Sequence, residues 1–199
     1  MKTFLRDHSR RLAAYLPEFC ARDVERHGGP VIAESVRLRA APAGPPLDET
    51  DLGFLFAYRV FPPEILRSRA EWEEENRSMR VGDTIVQQVE FPPGHGLHFV
   101  FGVRVTAVFR EPACAGFRYR ALAGHPEHGE NEFRFERRDD GIFALVRTEA
   151  GFASWLLRLL APVCAAPYVR YCNLSAARVM CDQFRRRNDA RLAAPRRNE

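Results

Sequence analysis

A group of histidine and glutamate side chains lies within eight residues of the sequence, at His125, Glu127, His128, Glu130 and Glu132. Imidazole and carboxylate groups bind metal ions and act as general acids and bases. The proline and the glycine among them predict a turn, in which the two imidazole rings have no reason to converge. Because no other part of the sequence supplies an evident third ligand, we predict that the protein binds no metal ion and no other cofactor.

The same segment has two further interpretations. The first is a rigid connection between strands, in which glycine supplies special backbone angles and proline fixes φ. The second is the polar rim of a ligand site, in which His125 and Glu130 orient a head group. Acid–base catalysis by either residue would also require a substrate beside it and a tuned pKa. No Ser-His-Asp order, Gly-x-Ser-x-Gly elbow or phosphate-binding glycine loop is present, so the sequence assigns no enzymatic activity.

Aromatic residues offer a second feature with chemical meaning, since the chain contains 15 phenylalanines. Most of them are expected to fill a core. A sharper hypothesis is that some aromatic side chains line a hydrophobic cavity, in which tyrosine and tryptophan provide polar groups. The residues predicted to line it are Phe101, Tyr119, Phe133 and Trp155.

The elements that position these residues form a predicted meander. Alternating apolar and polar residues predict strands over 84–91, 97–110, 117–121, 131–135 and 142–150. Asp139-Asp140-Gly141 predicts a hairpin turn between the last two strands. The connections are too short for crossovers, so the order is antiparallel. One face of the long strand 97–110 carries Phe99, Phe101, Val103, Val105, Ala107 and Phe109.

Helices and further strands flank this meander. A long helix over 152–187, with breaks near its prolines, is the natural cover for the apolar face of the sheet. Residues 3–27 are predicted to be helical, and 31–40 and 52–61 to be strands. Residues at spacings of four and three then predict a surface helix that buries Ile65, Arg69, Trp72, Asn76 and Met79.

The composition is that of a globular domain, with 46% apolar and 28% charged residues. The chain lacks the apolar run of a membrane span or a signal peptide, and its five cysteines include no Cys-x-x-Cys pair. We therefore expect reduced thiols and a cytoplasmic protein. The net charge of +4 is modest and scattered, so no nucleic-acid partner is expected. The arginine-rich end is interpreted as a helix that frays into a disordered tail over 191–199.

The segment from Tyr119 to Phe133 resembles the signature of an uncharacterised family, a "domain of unknown function". In that family a strand with Tyr-Gly-Thr-Leu-Pro-Gly-His-Pro leads into Glu-x-Gly-Glu-Glu-x-Phe. The residues kept here are Tyr119, Leu122, Gly124, His125, Pro126, Glu127, Gly129, Glu130 and Phe133. The departures are Arg120, Ala121, Ala123 and Asn131. Gly82-Asp83-Thr84-Ile85-Val86 is similar to a second family motif, and the resemblance covers 50–187.

The resemblance implies an α+β, START-like helix-grip fold, in which a curved antiparallel sheet wraps around a long C-terminal helix. We predict one domain over 1–190, with 1–50 outside the resemblance. The predicted function is to bind a small apolar or amphipathic ligand between sheet and helix. Two alternatives stay open, a cyclase- or hydrolase-type enzyme that uses His125 and Glu130, and an interaction module with a self-filled core. An open cavity with apolar walls would favour ligand binding. A His125 side chain that points into the cavity would favour an enzyme, and a sealed core would favour an interaction module.

Overall fold

Eight antiparallel strands form one curved sheet in the computed structural model, which describes residues 1–25, 32–42, 44–91, 94–152 and 166–192. The strands are β1 (Lys2–Phe4), β2 (Ile32–Ala41), β3 (Arg67–Ala70), β4 (Thr84–Glu90), β5 (His98–Arg110), β6 (Cys114–Ala121), β7 (Glu127–Arg138) and β8 (Gly141–Phe152). The order across the sheet is β2-β8-β7-β6-β5-β4-β3, and β1 pairs with β5. The predicted meander and the strand over 31–40 are confirmed.

A long helix, α4 (Ala166–Leu192), lies against one face of the sheet, which we call the inner face, and packs mainly on β2 and β8. Ala176, Ala177, Met180 and Phe184 are buried there. The predicted C-terminal helix is confirmed from Ala166 onward, and it extends two residues into the segment predicted as a tail. The predicted helical segment 153–165 and the tail 193–199 lie outside the described residues.

A bulge in β5 between Val105 and Ala107 shifts the register with β6 by one residue. One extra residue reverses the alternation of side chains between the two faces. Val108 therefore packs against the core, and Phe109 lies on the outer face, where the guanidinium of Arg118 is 5.7 Å from its ring. The prediction that Ala107 and Phe109 continue the apolar face of the strand is wrong.

The predicted helix over 3–27 is confirmed only in part, because the described residues of this segment fold as β1, a 3-10 helix (Ser9–Tyr15) and the short α1 (Leu16–Cys20). Residues 26 and 27 lie outside the described residues. Tertiary contacts decide this outcome. Leu12, Leu16 and Phe19 pack on the outer face of the sheet in a second apolar cluster. At Gly102 a Cβ atom would lie 2.6 Å from the ring of Phe19, so the close approach requires glycine.

The predicted strand over 52–61 is replaced by the single helical turn α2 (Gly53–Phe56). Phe54 and Leu55 are both buried, although they are adjacent in sequence and would lie on opposite faces of a strand. Tyr58 follows with a φ of 55°, a left-handed conformation that is uncommon for a residue other than glycine. The chain therefore turns here against the inner face of the sheet and does not add a strand to it.

The predicted surface helix over 65–79 is wrong as well. Arg67–Ala70 forms the edge strand β3 on β4, and the helical part is limited to α3 (Glu71–Glu74). The backbone N–H of Ala70 donates to the carboxylate of Glu73 at 3.0 Å, which starts α3. Pairing with β4 determines the structure of this segment. The spacing of residues along the sequence does not reveal that pairing.

Candidate functional site

A cavity of about 290 Å³ lies between the inner face of the sheet and the first turns of α4. Its walls are mainly apolar and include Leu66, Val89, Phe91, Phe99, Phe101 and Val169. Polar side chains interrupt the apolar wall at Gln87, Tyr119, His125, Glu127, Asn131, Thr148 and Asn173. An apolar cavity with a small number of polar groups is the usual form of a small-molecule site.

The cavity arises because inner-face side chains become smaller along β7 and β8. On β7 the order toward the cavity is Phe133, Asn131 and Gly129. On β8 the residues paired with them are Val146, Thr148 and Ala150. The same sheet is therefore filled by large rings at one end and leaves space at the other.

One polar group of the cavity is the last member of a hydrogen-bonded chain. The amide of Gln87 donates to the hydroxyl of Tyr58 at 2.5 Å, and that hydroxyl lies 3.3 Å from the hydroxyl of Tyr119. Burial raises the pKa of Tyr119 to about 12, so the phenol stays protonated. Because Tyr58 accepts from Gln87 and donates to Tyr119, the hydrogen of Tyr119 is left to donate to a ligand.

A second polar group is formed by Thr148, Asn131 and Asn173 across two strands and α4. The hydroxyl of Thr148 is 2.5 Å from Oδ1 of Asn131 and 3.0 Å from Oδ1 of Asn173. A hydroxyl carries one hydrogen, so Thr148 donates to one of these oxygens at a time. The amide nitrogen of Asn173 is buried without a hydrogen-bond partner among the described residues, so it is a donor left for a ligand in the cavity wall.

His125 lies in the turn between β6 and β7, with its ring centroid 4.2 Å from that of Phe101. Its Nδ1 accepts a hydrogen bond from the backbone N–H of Glu127 at 3.0 Å. Desolvation lowers the pKa of His125 to about 3, so the ring is neutral and carries its hydrogen on Nε2. In this state His125 can donate to a ligand, but it has no free lone pair to act as a general base.

Glu127 is the acidic group of the cavity wall. Desolvation by its surroundings raises the pKa of its carboxyl to about 7. Tyr168 and Cys172 line the cavity from α4, and burial raises the pKa of both, that of Cys172 to about 12. The carboxyl therefore titrates near neutral pH among groups that stay protonated.

The predicted site residues fall in four places. Phe101, Tyr119 and His125 line the cavity. Phe133 packs in the filled part of the core, with its ring stacked 5.8 Å from that of Tyr119. Glu130 lies on the outer face, where its carboxylate is 3.1 Å from Nε of Arg118 and pairs with a second arginine. Trp155 lies outside the described residues.

Several cavity residues were not predicted from the sequence, namely Gln87, Asn131, Thr148 and Asn173, and no role in a cavity was predicted for Glu127. The alternation of β7 could have placed Glu127 in the cavity. Glu127 is six residues from the inward-facing Phe133 and so lies on the same face of the strand, whereas Glu130 faces outward. Among the described residues, no group of three or more His, Cys, Asp or Glu side chains is arranged to hold a metal ion. No helix in the described ranges is both long and apolar enough to span a bilayer.

A larger cleft of about 800 Å³ lies elsewhere, between the segment 47–59 and the segment 72–79. Of the three described arginines that line it, Arg77 and Arg110 are engaged by neighbours. Both guanidinium nitrogens of Arg77 lie 2.7 Å from the carboxylate oxygens of Asp83, and Arg110 stacks 3.8 Å from the ring of Phe56. We place the candidate site in the smaller cavity because its polar groups face an apolar interior.

Comparison with known proteins assigns the chain to a family. Residues 52–183 match the family described as "Domain of unknown function (DUF1990)", and the chain belongs to this family. No curated protein matches the chain. The particular signature over 119–133 stays a prediction.

Solved structures of similar fold are distant in sequence. The di-domain ARO/CYC StfQ from the steffimycin biosynthetic pathway is 14% identical with a TM-score of 0.54; the match covers 80% of this chain and 52% of StfQ. This chain therefore spans about half the length of StfQ. The hypothetical protein jhp0584 from Helicobacter pylori is 9% identical with a TM-score of 0.56, over 78% of this chain and 88% of that one.

A third similar structure is the KanY protein (ms6282), which is 9% identical with a TM-score of 0.50, over 79% of this chain and 99% of that one. At these identities the similarities establish the fold alone. The fold is a START-like helix-grip fold, as the sequence predicted.

Proposed function

We propose that this protein binds a small apolar or amphipathic molecule in the cavity between the inner face of the sheet and α4. The observation that carries the proposal is an unfilled space of about 290 Å³ with mainly apolar walls, in a sheet whose other end is closely packed. Buried polar groups at Tyr119 and Asn173 supply hydrogen-bond donors for the ligand. The fold that the chain shares with StfQ supports the same proposal.

An enzymatic role is the second candidate. His125 lines the cavity, which is the arrangement expected of an enzyme, but Glu130 is engaged by arginines on the outer face. Acid–base chemistry in this cavity would therefore rely on Glu127, whose pKa of about 7 suits proton transfer near neutral pH. His125 would orient the substrate by donating from Nε2.

A self-filled core describes only part of the molecule. Phe117, Phe133 and Phe135 fill one end of the inner face, and the cavity lies at the other. An interaction module with a sealed core is therefore the least supported of the three functions.

The test is to fill the cavity with a side chain of the protein itself. Ala121 is buried in the cavity wall, and Ala121→Leu adds three heavy atoms there. We expect this variant to bind naphthylmethanol at least about tenfold more weakly than the wild type, with its unfolding free energy changed by less than about 1 kcal/mol. Binding is measured by fluorescence titration.

The matched control is Ala113→Leu, at an exposed position in the turn between β5 and β6. This control should bind naphthylmethanol as the wild type does. If the wild type shows no binding, or if Ala121→Leu binds as tightly as the control, the cavity is not the ligand site.

A further inference from the structure

The charge of the cavity wall differs from that of the protein. The chain contains 30 lysines and arginines, yet none of the described residues that line the cavity is a lysine or an arginine. The α-amino group of Met1 lies at the wall and donates to the carbonyl of Gly124. The carboxyl of Glu127 is thus the acidic group of a cavity that lacks a cationic side chain among its described residues.

The carboxyl of Glu127 has no described partner. The backbone N–H of Glu127 is bonded to His125, but none of the described side chains forms a hydrogen bond or an ion pair with the carboxylate itself. An ionised carboxylate in apolar surroundings is costly unless a counter-charge or a strong donor pairs with it. A ligand that carries a positive charge or a strong donor therefore stabilises the ionised form of Glu127.

The tyrosine and cysteine side chains that face Glu127 from the neighbouring elements supply no positive counter-charge to its carboxylate. Tyr168 and Cys172 approach from α4 and Tyr119 from β6, and burial holds each of them in its neutral, protonated form. His125 is neutral, because desolvation and, to a smaller extent, the α-amino group of Met1 lower its pKa. His128 follows Glu127 in sequence and is buried.

The two polar ends of the cavity are separated along β7. Tyr119 pairs with Asn131, which is four residues from Glu127, and four residues of strand span roughly 13 Å. The wall between them is apolar. A ligand that engages both ends must therefore have an apolar body with a polar group at each end.

We infer that the ligand is an amphipathic amine, whose ammonium group pairs with the Glu127 carboxylate and whose apolar body extends toward a hydrogen-bond acceptor at Tyr119. This inference rests on the proposed function and adds the charge of the ligand to it. Such an ion pair forms only when the carboxyl is ionised. The preference for an amine therefore increases as the pH rises through the titration of Glu127.

Three probes of nearly equal size separate charge from shape: naphthylmethylamine, naphthylmethanol and naphthoate. Their affinities are measured by fluorescence titration at about pH 8 and about pH 5.5, on either side of the titration of a desolvated carboxyl. At the higher pH we expect the amine to bind about tenfold more tightly than the alcohol, and naphthoate more weakly than either. At the lower pH the advantage of the amine should be lost.

Glu127→Gln should remove the advantage of the amine over naphthylmethanol, and cooperative urea unfolding of the variant shows that it is folded. The matched control is Glu149→Gln, which removes the same charge on the outer face, where Glu149 pairs with Arg147. This control should keep the preference for the amine.

The outcomes distinguish this inference from the proposed function. If the alcohol binds and the amine binds no more tightly, or if Glu127→Gln keeps the preference for the amine, the inference is overturned and the proposed function stands. If none of the three probes binds to the wild type, the proposed function fails and the inference with it.

Discussion

The two ends of the inner face are built by the same strands and the same helix, but they differ in packing. At the filled end, Phe117, Phe133 and Phe135 are fully buried, and the rings of Phe117 and Phe133 stack at 5.4 Å. At the cavity end, Asn131 and Thr148 occupy the next inner positions of β7 and β8. A change of side-chain size along a continuous strand is thus enough to turn a core into a cavity.

The comparison assigns different roles to the two ends. Closely packed aromatic rings contribute apolar burial and dispersion, and they stabilise the fold. The cavity end gives up part of that packing and contains polar groups such as the buried Asn173 and the half-buried Glu127. Positions that depart from the rules of core packing are where functional sites are expected.

The largest effect is expected from truncating a ring at the filled end. Phe133→Ala should lower the free energy of unfolding by about 3–5 kcal/mol, because the closely packed neighbours cannot fill the space. Phe99→Ala, at the wall of the existing cavity, should cost only about 1 kcal/mol. Urea unfolding measures both, and equal losses would show that the two ends are packed alike.

A smaller effect is expected from the buried carboxyl of the cavity end. Burial raises the pKa of Glu127 from 4.5 to about 7, so the folded protein holds a proton that the unfolded chain releases. The free energy of unfolding therefore falls as the pH rises through this interval. In ligand-free protein, Glu127→Gln should be more stable than the wild type by about 2 kcal/mol above pH 8, and equally stable near pH 4.

The pH dependence of this difference is the diagnostic feature, measured by urea unfolding across the pH range. A constant difference between Glu127→Gln and the wild type at every pH would show that the carboxyl is not desolvated in the folded protein.

The hydroxyl of Tyr119 should have a smaller effect still. Tyr119→Phe removes the donor at the inner end of the cavity and keeps the ring. We expect it to weaken the binding of naphthyl methyl ketone by about three- to tenfold, because one neutral hydrogen bond is lost. Ethylnaphthalene, which has no acceptor, is the matched ligand and should bind equally to both proteins. A ketone affinity that is unchanged by Tyr119→Phe would remove Tyr119 from the site.

The smallest effect is expected from Glu130→Gln on the outer face. The ion pairs of Glu130 with Arg118 and Arg120 are partly exposed, so the unfolding free energy should change by less than about 1 kcal/mol. The affinity for naphthylmethanol should be unchanged. A clear loss of affinity in this variant would support the polar-rim role that the sequence suggests for Glu130.

The fold of the second half could be predicted because each strand carries its own alternation and Asp139-Asp140-Gly141 fixes a turn. The segments 3–27 and 65–79 could not be predicted in this way, because their conformations depend on packing and pairing with distant strands. In the site, aromatic pattern was enough to identify Phe101 and Tyr119. The alternation of side chains along the strand could have identified Glu127, and not Glu130, as the inward-facing glutamate. Asn173 could not be found, since the inward face of α4 is set by tertiary packing.

The central claim is that the cavity end of the sheet holds a small molecule. Native mass spectrometry of the protein purified from cells, repeated after denaturation, tests it most directly when the wild type and Ala121→Leu are compared. We expect a bound mass on the wild type that denaturation removes and that is absent from Ala121→Leu. A wild type without bound mass that also fails to bind naphthylmethanol, or a bound mass retained by Ala121→Leu, would show that the cavity holds no small molecule.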